Sequence, residues 1–242
     1  MIRKTALSIV SVVLVSMPLV GLADATTESK IDALVARMTL EEKIGQTALR
    51  GTSSRERGRV SEELLDRVRG GEVGAFLNVT SIENVDALQN AAVNESRLGI
   101  PLVFARDVIH GYRTIFPVPI GMASSWSPDL VETATRVSAE EATLAGIRWT
   151  FAPMIDISRD ARWGRIAESL GEDPYLSSAL ARAMVRGFQG DDLARQNSMA
   201  ATAKHFAAYG AAEGGRDYNT VSMSEQDLRE IYLPPFKAAA EE

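Results

Sequence analysis

Pro101–Val108, PLVFARDV, is the stretch from which the architecture of this chain unfolds. It is apolar, rich in β-favouring residues, opens on a proline and closes on a charged step shortly before Gly111, which marks a strand. Further along, Ser127-Pro128-Asp129 offers an N-cap serine with proline at the first helical position, and the helical pattern continues to about Ala145. A strand followed by a capped helix is one βα unit.

The same pattern recurs on either side. Val73–Val79 (VGAFLNV) reads as a strand, followed by a helix from Ile82 to about Arg97 with Thr80 and Glu83 as its capping box. Trp149–Ile157 (WTFAPMIDI) is a third strand, with a helix that opens at Asp173-Pro174 and ends near Gln189. Met199–Phe206 (MAATAKHF) is a fourth, with a helix that opens near Ser222 or Ser224 and runs to the last residues. Ahead of them, residues 28–49 carry helical spacing in Ile31, Leu34, Val35 and Met38, then Leu40, Ile44 and Ala48. Thr39 with Glu42 makes a capping box that starts a second helix there, and Gly51–Arg59 is a polar loop.

Four strand–helix units imply parallel strands joined by helical crossovers. The strands are apolar on both faces, as a sheet covered on both sides requires. No glycine-rich phosphate fingerprint follows the first of them, which speaks against a dinucleotide-binding fold. The expected fold class is therefore α/β: the N-terminal half of a (β/α)8 TIM barrel with about four units, its first and fourth strands left as open edges.

Composition narrows the function. The chain has 242 residues, 45% hydrophobic and 24% charged, with a formal charge of −6. An acidic chain without a basic tract argues against nucleic acid as a partner. It has no cysteine, so an oxidising compartment is permitted and not exploited. Its two histidines, His110 and His205, have no metal-ligand spacing, so neither metal nor cofactor is expected. Arg3 and Lys4 precede an apolar stretch from Ala6 to Leu22 that ends in Ala23-Asp24-Ala25. This reads as a signal peptide over residues 1–25, which makes 26–242 the mature domain and secretion across an inner membrane, to the periplasm, the expected route. An uncleaved membrane anchor is the alternative, disfavoured by Pro18 and the small-residue site.

In barrels of this kind function gathers at the C-terminal ends of the strands. Asp107 closes the second strand, Arg165 lies in the loop after the third, and Lys204 and His205 close the fourth. Each has a plainer reading. Taken alone, Asp107 reads better as a turn cap before Gly111 and His205 as an interior histidine, while for Lys204 a lysine reaching for solvent is an equally common outcome. One of Arg162 and Arg165 is expected to be an ion-pair partner for Glu168, Glu172 or Asp173. Together the four make a set suited to sugar hydroxyls, since a carboxylate accepts hydrogen bonds from neighbouring hydroxyls while the cations and the imidazole donate to the oxygens between them. Tyr112, Trp163 and Tyr209 offer apolar faces to a ring, or pack the interior.

Four ordered segments carry a resemblance: MTLEEKIGQ over 38–46, IPLVFARDVIHGYRTIFPVPIGMASSWSPDLV over 100–131, the loop from RWGR at 162–165 to GEDP at 171–174, and AKHFAAYG over 203–210. In this order they resemble glycoside hydrolase family 3, and look closest to its periplasmic β-glucosidase branch. The resemblance implies hydrolysis of terminal non-reducing β-glucosyl residues with retention, and a β-glucoside or oligosaccharide as substrate. It implies that Asp107, Arg165, Lys204 and His205 hold the glucosyl unit through its C3, C4 and C6 hydroxyls, with Arg165 taken over Arg162 because it stands three residues before Glu168. His110 matches the family and is expected to be structural. The β-N-acetylglucosaminidase branch is not matched, because Lys204-His205-Phe206 runs into Ala207-Ala208-Tyr209-Gly210 and no histidine follows. Xylosidase activity stays open.

Retention requires two carboxyl groups about 5–5.5 Å apart. In the resembling enzymes the nucleophile is an aspartate in a Ser-Asp-Trp-type motif on a later strand, and the acid/base glutamate comes from a following domain. No Ser-Asp step occurs in this chain, so both groups are expected beyond residue 242. The chain on its own is then expected to be an inactive N-terminal fragment prone to association. The alternative is a non-catalytic carbohydrate-binding or decayed-gene product that keeps only the sugar pocket.

Overall fold

The computed structural model describes residues 25–51, 59–79 and 81–242. The leader reading for residues 1–25 falls almost wholly outside them, and Thr80 lies outside them as well. The chain divides after Thr39 into two units. The first contains helix α1 (Ala25–Arg37).

The second unit, from Leu40 onward, carries the βα units. Helix α2 (Leu40–Gln46) leads into strand β1 (Leu49–Gly51), and α3 (Glu62–Arg69) leads into β2 (Ala75–Leu77). Then follow α4 (Ile82–Asn94), β3 (Val103–Arg106), the short α5 (Pro119–Ala123), α6 (Pro128–Thr143), β4 (Trp149–Thr150) and α7 (Pro174–Gln189). After a long loop, α8 (Glu225–Asp227) passes through a wide turn at Leu228–Tyr232 into α9 (Pro234–Ala240).

The sheet is parallel throughout, in the order β1-β2-β3-β4, with Phe76 level with Arg50 and Phe104, and Ala105 level with Trp149. Beyond β4 the backbone of the next segment runs alongside through two parallel bridges, Trp149 with Ala200 and Met154 with Lys204. This is the arc of a (β/α) barrel.

Two readings of the sequence are corrected in detail. Leu49–Gly51, assigned above to a helix end and a loop, is a strand, and it covers the edge of β2 that was expected to stand open. Met199–Phe206 forms no continuous strand and runs beside β4 through two bridges and an interrupted ladder of backbone hydrogen bonds. Pro153 explains part of this: it has no N–H, so the ladder skips a donor there. The neighbouring bonds persist, from Thr202 N to Ala152 O at 2.8 Å and from Ile155 N to Lys204 O at 2.9 Å.

The helices begin where side-chain caps place them. Ser61, Ser81, Ser127, Asp173 and Ser224 each accept a hydrogen bond from a backbone N–H in the first turn. For α4 the cap is thus Ser81, next to the Thr80 expected from the sequence. Proline at the first position of α6 and α7 adds a φ already set for helix.

One core lies between α3, α4 and the first strands, where Leu64, Val68, Leu88 and Leu102 surround the stacked rings of Phe76 and Phe104, 6.2 Å apart. A second joins α6, α7 and α9 to the β4 side through Ala139, Ala142, Leu180, Met184, Phe188 and Phe236. Helices α6 and α7 meet so closely at Gly187 that a Cβ there would lie 1.8 Å from Thr135 Oγ1. Only hydrogen fits that position. The Glu42 carboxylate receives Arg97, whose Nε donates to its Oε1 at 3.0 Å. Among the described residues no helix is long and apolar enough to cross a membrane.

Candidate functional site

The strand ends deliver the four predicted side chains to one rim. Asp107 follows β3 directly, Lys204 and His205 end the segment beside β4, and Arg165 comes from the loop after β4, just before a single 3-10 turn at Ile166–Glu168. Lys204 Nζ donates to Asp107 Oδ1 at 2.6 Å. Arg165 Nη1 lies 3.3 Å from His205 Nε2. Since Lys204 and His205 are consecutive, the two pairs form one cluster.

Arg165 also grips Glu168 with two parallel bonds of 2.8 and 2.7 Å. This pairing, reinforced by Lys204 and His205 nearby, holds the Glu168 carboxyl below its usual range. It also pushes the Arg165 guanidinium further up. Both arginines of the loop are therefore ion-paired, but they point to different places. Arg162 binds Asp160 with its side chain 78% exposed, and stands away from the cluster.

Beneath the cluster lies a residue the sequence reading missed. Asp156, in the MIDI run after β4, is 1% exposed, and its Oδ2 accepts from both His205 N and His205 Nδ1 at 2.8 Å each. The signal was present: a carboxylate inside an apolar run is not buried without a partner, and the chain holds only two imidazoles.

The aromatic residues divide in the same way. Trp163 is buried and cannot face a ligand. Tyr112 lies under the Arg106 guanidinium, 5.4 Å from ring centre to Cζ. Tyr209 remains at the site, edge-on to both Trp163 and His205, with Arg165 5.6 Å above its ring. Together with Arg165, His205, Phe206, Ala207 and the exposed Tyr218 it lines a cavity of about 400 Å³, within the size range of small-molecule sites. Asp107 and Lys204 are not among its lining residues. The groove by Val185, Ala201, Phe236 and Ala240, about 490 Å³, is mostly apolar, with Gln189 and Lys237 as its polar lining and no carboxylate. Ala208 and Tyr218 hold positive φ angles of 67° and 63° beside the cavity, a conformation that costs about 1–3 kcal/mol each and persists only where surroundings fix it. His110 lies in the loop after β3, where its Nδ1 meets Phe116 O at 2.9 Å.

Tyr209 is fixed from behind. Its hydroxyl donates to Asp217 Oδ1 at 2.6 Å, which also accepts from Trp163 Nε1 at 2.9 Å. Burial and this bond push the Tyr209 phenol up to about 12. The same donors hold the Asp217 carboxyl below its usual range. The signs follow by linkage. The raised phenol stabilises the fold below the ordinary tyrosine range, near pH 10, and that contribution is lost as pH rises towards 12. The depressed carboxyl stabilises it above the ordinary aspartate range, and that contribution is lost on acidification through its lowered value. Tyr209 is thus expected to ionise near pH 12, and to move down in Asp217→Ala. Phenolate absorbance against pH measures it, and a titration unchanged by that substitution would break the link.

Chemically, the cluster alternates donors and acceptors around an open cavity. Its carboxylates are all engaged: Asp107 by Lys204, Glu168 by Arg165 and Asp156 by His205. Among the described residues, no group of three or more His, Cys, Asp or Glu side chains is placed to hold a metal ion.

Residues 39–242 match the model of the glycosyl hydrolase family 3 N terminal domain. The chain is 46% identical over 205 residues to a periplasmic β-glucosidase of Salmonella typhimurium, covering 85% of this chain and 26% of that protein. It is 35% identical to a β-xylosidase of Formosa agariphila, covering 75% of this chain and 26% of that one. Among solved structures, the β-glucosidase of Listeria innocua in complex with glucose superposes with a TM-score of 0.80 at 42% identity, over 88% of this chain and 31% of the other. The chain thus spans between a quarter and a third of the length of these relatives.

Proposed function

Since the chain belongs to glycoside hydrolase family 3, we propose that its rim cluster is the half-site that grips the terminal glucosyl unit of a β-glucoside during retaining hydrolysis. The observation that carries this is the pairing of Asp107 with Lys204 and of Arg165 with His205 at the strand ends, with Arg165 and His205 lining a cavity. Each sugar hydroxyl is both donor and acceptor, so it fits between a carboxylate oxygen and a cation without leaving either unpaired. The glucose complex of the Listeria relative supports the choice of sugar.

The cluster's own carboxylates are bound to cations or to a ring, so the nucleophile and the acid/base are assigned to parts of the enzyme outside these 242 residues. In this reading the chain by itself binds sugar and does not turn over aryl β-glucosides. The apolar leader over residues 1–25 and the periplasmic Salmonella relative support export to the periplasm.

Titrating the chain with glucose and its monodeoxy analogues tests the reading. Glucose and 2-deoxyglucose should bind alike, whereas loss of the C3, C4 or C6 hydroxyl should weaken binding by roughly tenfold or more, the worth of one hydrogen bond to a charged group. The Formosa relative brings in a second reading, a xylosidase. Xylose has no C6 hydroxymethyl group, so xylose that binds as tightly as glucose would favour it. No binding of either sugar would overturn both.

A further inference from the structure

Asp156 is buried beneath the rim, and only one of its oxygens is used. Oδ2 accepts from the His205 backbone N–H and meets His205 Nδ1, both at 2.8 Å. Oδ1 is buried and has no hydrogen-bond partner. A buried acceptor left empty is costly, and an apolar side chain of similar size would fill the space without that cost. The carboxylate is therefore tied to what Oδ2 does. At the opposite edge of the ring, Arg165 Nη1 stands 3.3 Å from Nε2. An arginine only donates, so it requires Nε2 to be an acceptor, and an ionised carboxylate only accepts, so it requires Nδ1 to be a donor. Both neighbours demand the same tautomer.

We infer that Asp156 is a positioning residue that locks the His205 ring with its proton on Nδ1, so that Nε2 faces the cavity as an acceptor only. The chain Asp156–His205–Arg165–Glu168 then runs through consistent hydrogen bonds from the interior to the rim. Which ring nitrogen carries the proton is set by the bond the other makes, so Asp156 and Arg165 together enforce this tautomer. If the sugar reading above holds, on which this step rests, a hydroxyl that takes the place of Arg165 Nη1 at Nε2 must be the donor of that bond. Specificity would follow: a fluorine at that position accepts but cannot donate, and its analogue should lose binding as fully as the deoxy compound does.

Only two histidines are present, so long-range nitrogen–proton correlation spectra of the 242-residue chain, taken with the rings neutral, can read each tautomer. His110 serves as the internal reference, because its Nδ1 faces Phe116 O and must donate; His110→Gln assigns its signals. The expected result is His205 with its proton on Nδ1 in the wild type, still so in Asp156→Asn, whose amide oxygen can accept the same two bonds, and lost to the Nε2–H form in Asp156→Ala. Unchanged His110 signals show that the fold survives. If alanine unfolds the chain, Asp156→Leu, which keeps the branching of the side chain, carries the same comparison. A wild-type ring protonated on Nε2 overturns the inference, and so does a variant without the carboxylate whose tautomer matches the wild type. Glucose that leaves the His205 signals unmoved would count against the sugar reading and not against the role of Asp156.

Discussion

Lys204→Ala should weaken glucose binding by roughly ten- to a hundredfold, about 1.5–3 kcal/mol for a lost hydrogen bond to a charged group, while the chain stays folded. The asymmetry of the pair explains why. The Lys204 side chain is 13% exposed and that of Asp107 45%. Removing the lysine leaves a carboxylate that water can reach, so the fold loses little. Removing the aspartate strands a mostly buried ammonium, so Asp107→Ala should lower stability as well as binding. Calorimetric titration with glucose beside a thermal melt separates the two effects. Unchanged glucose affinity in Lys204→Ala would remove that residue from the site.

Trp163→Ala should be the more damaging substitution for the fold, at about 3–5 kcal/mol for an emptied aromatic site, or a fall in Tm of roughly 6–20 °C for a domain of this size. Trp163 is 1% exposed and links three parts of the site wall. Its ring is edge-on to Tyr209 at 5.3 Å, its Nε1 donates to Asp217, and it lies against the tight turn at Gly210. Its loss frees Tyr209, which packs on His205 and under Arg165. Sugar binding should therefore fall together with stability. Trp163→Phe separates packing from hydrogen bonding: it keeps most of the buried area and should cost only about 1 kcal/mol for the lost bond. Urea unfolding midpoints measure both. An alanine variant as stable as the wild type would show that the wall does not rest on this ring.

Much of the fold could be read wherever the chain carries local chemistry. Asp173-Pro174 and Ser127-Pro128 announce α7 and α6 because a side-chain cap and a fixed φ act within one turn. The strand at Leu49–Gly51 leaves no such trace. It has three residues, two of them exposed, and its extended form depends on pairing with β2. The segment after Met199 fails in the other direction: its composition favours a strand, but pairing opposite Pro153 breaks the ladder into single bridges. The four rim residues could be placed because strand ends are where such folds gather polar groups. Residue type alone did not separate Arg162 from Arg165, as both find acids nearby; the family resemblance chose Arg165 by its distance from Glu168, and the path of the loop turns Arg162 outward. Asp156 was hidden because a lone acid in an apolar run has no periodicity to reveal it, and its partner lies 49 residues away.

The strand order has a consequence for how the molecule is made. Each strand of the sheet borders its immediate predecessor, β1 then β2 then β3 then β4. Nothing synthesised late has to slot between pieces that are already in place. A chain emerging amino end first, from a ribosome or through a secretion channel, can therefore lay down one unit on the last, with every new partner already waiting. Such nearest-neighbour growth keeps loop closures short and the search brief.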